Sequence, residues 1–174
     1  MRLLKLKNNI IKSNSKPYII AEVGHNHQGK LDLCKKIFLA AKEAGASAVK
    51  IQKRNNKHLF TKKMYNSIYN SPNSYAKTYG QHREKLEFGL REYKDLIKFC
   101  KKIKIHFFST AFDIPSANFL MKLKLFPIKI ASGDSSNHDL ISYIAKKKVP
   151  MIISTGGSNI NKVKNTYKLC KKYY

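Results

Sequence analysis

Short apolar runs alternate with longer amphipathic stretches along this chain. The run at 18–23 closes at Gly24 and reads as a strand. Across 31–44, Leu33, Ile37, Ala40, Ala41 and Ala44 recur at helical spacing, and Gly45 supplies the stop. The spacing then predicts a strand at 48–52 and a helix over 92–103 with Tyr93, Leu96, Ile97 and Cys100 on one face. A strand at 106–109 follows, then a helix over 115–124 opened by Pro115, a favoured first-turn residue. The series closes with a strand at 128–131, a helix from Asn137 or His138 to 147, a strand at 151–154 and a helix over 161–174. This is five β/α units. Strands apolar on both faces between amphipathic helices imply a parallel sheet. A doubly wound sheet and a TIM barrel both fit, although a complete barrel typically needs about 250 residues.

Two features depart from the rhythm. The stretch 53–89 is long, polar and aromatic, with Tyr65, Tyr69, Tyr75, Tyr79 and His82. Long insertions after a strand are either functional or surface excursions. The second feature is the polar chemistry that gathers where strands end. Glu22 leads into Gly24-His25-Asn26-His27, Lys50 and Gln52 lie in the second strand, and Ser109-Thr110-Ala111-Phe112-Asp113 closes the third. Lys129 and Ser132, with Asp134 beyond them, mark the fourth strand, and Ser154-Thr155-Gly156-Gly157 ends the fifth. The C-terminal lip of parallel strands is where ligands bind in such folds. A buried ammonium needs an anion. If Lys50 and Lys129 face one site, a doubly charged ligand is the natural partner.

Composition narrows the field. The chain has 174 residues, with 35 Lys and Arg against 10 Asp and Glu, a formal net charge of +25. Nucleic-acid binding predicts cations clustered on one face with aromatics between them. Here the lysines are spread over several helices, which reads as a solvated surface, and no nucleic-acid partner is expected. Cys34, Cys100 and Cys170 are far apart and form no CxxC, so neither a zinc site nor a disulfide framework is indicated. The basic segment at 3–7 is broken by lysines and lacks the apolar core of a signal peptide, and no run approaches a membrane span. A cytoplasmic protein with no membrane partner is expected. The His25-Asn26-His27 pair tempts a metal reading, but the flanking glycines place it in a loop. No Ser-His-Asp or Cys-His constellation is legible, and Thr155-Gly156-Gly157 lacks P-loop spacing.

Six co-linear segments carry a resemblance. They are Ile20-Ala21-Glu22-Val23-Gly24 with Asn26, His27 and Gly29; Val49-Lys50-Ile51-Gln52; and Tyr79-Gly80-Gln81-His82-Arg83-Glu84 with Leu86-Glu87. Phe108 to Asp113, Lys129 to Asp134 and Ser154 to Gly157 complete the set. With them the chain resembles the N-terminal part of the sialic acid synthases, including the legionaminic and pseudaminic acid synthases. The resemblance implies an α/β fold, a partial TIM (β/α)8 barrel of about five units. It also implies condensation of phosphoenolpyruvate with an N-acetylated amino sugar to a nonulosonic acid and phosphate.

In residues of this chain, Lys50, Thr110 and Lys129 resemble the contacts to the phosphoenolpyruvate carboxylate, and Ser132 and Ser154 the phosphate contacts. Glu22 resembles the catalytic carboxylate at the sugar end, with Gln52 and Phe112 lining that side and Asn70 or Asn73 as a further sugar contact. Asp134 stands where several members have glutamate, and Gly157 where a methionine-like residue is common. A divalent metal, manganese or magnesium, is implied for the family, with histidine ligands on later strands that this chain does not contain. A C-terminal antifreeze-like domain is likewise not represented. The expectation is therefore a truncated or split synthase, inactive alone and completed by a missing barrel half or a homodimer partner. The alternative is a half-barrel that binds a phosphate ligand without catalysis.

Overall fold

The computed structural model describes residues 4–6 and 9–174. At the N-terminal end, β1 (Leu4–Leu6) pairs antiparallel with β2 (Asn9–Ile11). The sequence pattern did not announce this pair, because lysines interrupt its apolar run. Five further strands form one parallel sheet: β3 (Ile20–Gly24), β4 (Ala48–Lys53), β5 (His106–Ala111), β6 (Ile128–Ile130) and β7 (Met151–Ile153). The helices between and after them are α1 (Leu31–Glu43), α2 (Asn56–Leu59), α3 (Lys62–Asn66), α4 (Tyr79–Lys85), α5 (Leu90–Lys102), α6 (Ile114–Lys122), α7 (His138–Lys146) and α8 (Ile160–Lys171).

Each strand of the parallel sheet lies beside its neighbour in sequence, in the order β3-β4-β5-β6-β7. A doubly wound sheet reverses direction at a switch point. This sheet never does, so the architecture is α/β, a partial TIM (β/α)8 barrel with five β/α units.

Register separates the two faces of the sheet. Glu22 pairs with Lys50 and Lys50 with Phe108; Gln52 pairs with Thr110 and Thr110 with Lys129. Residues paired across parallel strands share a face, so these side chains line the concave inner side. The opposite face carries Val23, Val49, Ile51, Phe107, Ile128 and Ile130, which pack on Phe38, Leu96, Leu120 and Ile141 of the helices. The strands are therefore not apolar on both faces, as the short runs implied. On the inner side Glu22, Lys50, Gln52, Thr110 and Lys129 share the face with Phe108.

Side chains cap the helices that start near this lip. Thr78, Asp113, Asn137 and Asn159 each accept from the backbone N–H three residues on. At the other end of the barrel, α5 and α6 close with a paired motif in which Ile105 N donates to Cys100 O and Leu125 N donates to Leu120 O. Such closures place a left-handed residue after the helix, usually glycine. Here Lys104 and Lys124 fill it, with φ of 56° and 54°. Left-handed backbone costs an L-residue about 1–2 kcal/mol. Replacing either lysine with glycine should therefore stabilise the chain by about 0.5–1 kcal/mol, read as a higher urea midpoint at unchanged slope.

Candidate active site at the lip of the barrel

The inner face builds a connected polar chain. Lys50, nearly inaccessible in mid-strand, forms an ion pair with Glu22 and donates to Thr110 Oγ1 at 2.6 Å. Glu22 stands half open to solvent on the adjacent strand. One strand further, Lys129 Nζ donates to Ser154 Oγ and to the Ile130 carbonyl, both at 2.6 Å. Burial pushes the pKa of Lys50 down, and its pairing with Glu22 opposes that shift. Burial also lowers Lys129, and the charge on Lys50 lowers it further. The two ammonium groups thus repel across Thr110, and one half-exposed carboxylate serves both.

Ser132 begins the 3-10 turn Ser132–Asp134 after β6. It comes close to the loop after β7: a Cβ built on Gly156 would lie 3.9 Å from Ser132 Oγ. Ser132, Ser154 and Lys129 therefore border one part of the lip. Gln52 and Glu22 both reach Gly24: a Cβ there would lie 3.4 Å from Gln52 Nε2 and 3.5 Å from Glu22 Oε1. Phe112 lies beneath the guanidinium of Arg54, 3.5 Å from its ring centroid, and the charge of Asp134 also acts on Arg54. Nine of the candidate residues named from the sequence thus fall on the inner face or its lip. Asn70 and Asn73 lie exposed in the turn bridged by Ile68 and Thr78, and nothing brings them to these side chains.

The insertion is ordered as α2, α3 and α4 and folds back on its own start. Glu87 Oε2 accepts from Lys53 Nζ at 3.2 Å and from Arg54 N at 3.0 Å, while Lys53 Nζ also donates to the Phe88 carbonyl at 2.9 Å. His25 Nε2 lies 3.5 Å from Glu87 Oε1 and 3.3 Å from an Arg54 terminal nitrogen. Asp113 ties the same region to α6, accepting from Asn55 N at 2.8 Å and Ser116 N at 2.7 Å. Sequence reasoning missed Arg54, Glu87 and Asp113 as parts of the site. Glu87 and Asp113 stood inside the matched segments, but only the fold shows what they hold.

The rings of His25 and His27 are engaged by neighbouring protein groups. His27 is buried with its ring stacked on Phe88 at 4.2 Å, and its Nδ1 accepts from Gly29 N. Among the described residues no group of three or more His, Cys, Asp or Glu side chains could hold a metal ion.

His27 does carry a pH signature. Burial lowers its pKa from 6.5 to about 4. Between those values the unfolded chain binds a proton that the folded chain refuses, so stability falls as pH drops from 6.5 towards 4. His27→Gln should flatten that segment of a Tm-versus-pH curve, and an unchanged slope would count against the assignment.

Residues 37–174 match the family model described as the NeuB family. The chain belongs to the NeuB family. Its NeuB-family relatives include the N-acetylneuraminate-9-phosphate synthase of Mus musculus, 38% identical over 154 residues, covering 88% of this chain and 43% of the relative. The N,N'-diacetyllegionaminic acid synthase of Legionella pneumophila is 36% identical over 158 residues, covering 90% of this chain and 44% of the relative. The chain thus spans less than half the length of these curated relatives. Among solved structures, the N-acetylneuraminic acid synthetase of Leptospira borgpetersenii, in complex with citrate, superimposes with a TM-score of 0.83 at 28% identity. That match covers 99% of this chain and 56% of the other. A DAHP synthase of Thermotoga maritima shares the fold alone, at a TM-score of 0.65 and 12% identity. Among the described residues, no helix is long and apolar enough to cross a membrane.

Proposed function

We propose that this chain carries the phosphoenolpyruvate-binding portion of a synthase that joins phosphoenolpyruvate to an N-acetylated amino sugar, giving a nonulosonic acid and phosphate. The observation that carries the reading is the pair of mutually repelling inner-face lysines, Lys50 and Lys129, each hydrogen-bonded to a strand-end hydroxyl. A small ligand with a carboxylate at one end and a phosphate at the other relieves that repulsion at both points. Relatives named for N-acetylneuraminate 9-phosphate and for diacetyllegionaminic acid support the product class.

In this reading the enol carbon of phosphoenolpyruvate bonds to the aldehyde carbon of the open-chain sugar. The aldehyde oxygen takes up a proton and becomes a hydroxyl. Water adds to the carbon bearing the phosphate. The carbon–oxygen bond to phosphate then breaks, and loss of the remaining hydroxyl proton leaves a ketone. Lys50, Thr110 and Lys129 hold the carboxylate, and Ser132 and Ser154 the phosphate. Glu22, open to solvent on one side and paired with Lys50 on the other, holds or moves the proton at the sugar's aldehyde oxygen. Gln52, Phe112 and Asp134 line the sugar side. In this reading the described residues supply the phosphoenolpyruvate contacts.

Calorimetric titration of the purified chain with phosphoenolpyruvate tests the reading. Saturable one-to-one binding, competed by inorganic phosphate, supports it. No binding up to millimolar concentrations rejects it.

A further inference from the structure

The lysines that are spread along the sequence are gathered in space. Helices α1, α5, α6 and α7 all end at the closed pole of the barrel, where the next strand begins. Lys42, Lys102, Lys122 and Lys146 stand in their last turns. Lys104 and Lys124 follow α5 and α6, and Lys148 follows α7. All of them are exposed. The acids keep to the other half of the molecule. Asp32, Glu92 and Asp139 occupy first turns, and Glu43 alone shares the closed pole. The ion pairs among the described residues all lie at the lip, so none neutralises these lysines.

One cation near a helix C-terminus suits the helix dipole. A second or third in succession, with another beyond the last turn, exceeds that need. The residues beyond the last turn are the telling ones. Lys104, Lys124 and Lys148 have φ of 56°, 54° and 54°, a backbone state that favours glycine. Charge is thus kept at three places where it lowers stability, which is expected of residues with a functional role.

The same pole exposes apolar side chains. Leu6 of β1 joins Ile105, Leu125 and Phe126 around a cavity at this end, so the β1–β2 pair covers the base of the barrel. Ile10 on β2 and Ile19 just before β3 are each 54% exposed. A nucleic acid would attract the lysines but has no use for the isoleucines. Lysine is also a point charge without arginine's fork, suited to a diffuse layer of charge rather than to bidentate contacts. A bilayer with anionic headgroups meets both features: surface charge for the lysines and a shallow apolar layer for Ile10 and Ile19.

We infer that the closed pole is a docking face for an anionic lipid bilayer. The chain lies on the surface, held by lysines around two shallow apolar contacts. Lys50, Lys129 and the rest of the lip then face away from the membrane and stay open to ligand. The inference does not depend on which ligand the lip takes.

Co-sedimentation of the full 174-residue chain with vesicles tests it. Vesicles of phosphatidylcholine and phosphatidylglycerol at about 2:1 should bind the chain, and pure phosphatidylcholine should not. Raising the salt from about 0.1 M to about 0.5 M should release most of it, as the screening length shortens. Each lysine held at such a surface is worth about fivefold in partitioning. Replacing Lys102, Lys122 and Lys171, the last at the end of α8, with glutamine should therefore weaken vesicle binding at least about tenfold. A control with Lys36, Lys63 and Lys162 changed to glutamine loses the same charge from the flank and the lip, and should stay within about threefold of the parent. Thermal melting confirms that both variants fold. Equal binding to neutral vesicles overturns the inference, as does an equal loss in the two variants, which would report net charge alone. A DNA duplex that binds more tightly than the vesicles and strips the chain from them also overturns it.

Discussion

Lys50→Met is expected to leave the chain folded while lowering its affinity for phosphoenolpyruvate by about thirtyfold or more. The lysine is buried in mid-strand, where its charge is expensive to keep. Methionine has similar length and no charge to desolvate. Removing a buried cation often leaves stability unchanged when its partner can return to water. Glu22, half open to solvent, is such a partner. The ligand has no such recourse. Its carboxylate loses a charge-assisted hydrogen bond, worth about 1.5–3 kcal/mol, and faces a more open Glu22. Calorimetry gives the affinity and thermal melting the stability. An affinity within about threefold of the parent, in a variant that melts normally, would remove Lys50 from the ligand site.

Gly29→Ala is expected to cost about 3 kcal/mol of stability. Gly29 lies in the loop after β3 with φ of 72°, and a Cβ there would sit 2.0 Å from the Lys85 carbonyl oxygen at the end of α4. The obstacle is backbone, which cannot rotate aside as a side chain does. Two penalties therefore add: left-handed backbone at about 1–2 kcal/mol and forced separation of two packed loops at about 1–3 kcal/mol. Gly45→Ala is the internal control. Its φ is 87°, yet a Cβ there meets nothing within 4 Å, so it carries the first penalty alone. Urea melts of both variants separate the contributions. Equal losses would mean that the Gly29–Lys85 approach is not a constraint.

The separation also has a ligand-binding readout. Glu87 and Phe88 follow directly on α4, and they hold Lys53, Arg54 and His27 in place. Pushing the loop away from α4 should loosen the rim proposed for the sugar before it touches Lys50 or Lys129.

How much of this was legible beforehand depended on whether a residue's role was local. Lys129 at the end of an apolar run, with Ser132 and a glycine next, announced a strand lip by itself. Lys50 did so too, because an isolated charge between Val49 and Ile51 needs a reason. The same pattern concealed the two-faced character of the sheet, since β6 and β7 are only three residues long and show barely one alternation. Arg54 was invisible for another reason. It is one cation among 35, and its meaning comes from Phe112, Asp134 and Arg83, which only folding brings to it. The clamp of Glu87 on the start of its own insertion was hidden likewise, as no short spacing encodes a loop that returns to its origin.

The left-handed lysines at the ends of α5 and α6 bear on how this molecule can be altered. Lys104 and Lys124, with Lys148 beyond α7, all precede strands, so they stand at the end of the barrel opposite Lys50 and Arg54. Improvement there touches none of the groups that meet a ligand. Durability and chemistry occupy opposite poles of one small barrel, so selection at one pole need not trade against the other. Glycines introduced at the closed end could offset the losses that probing substitutions cause at the open end.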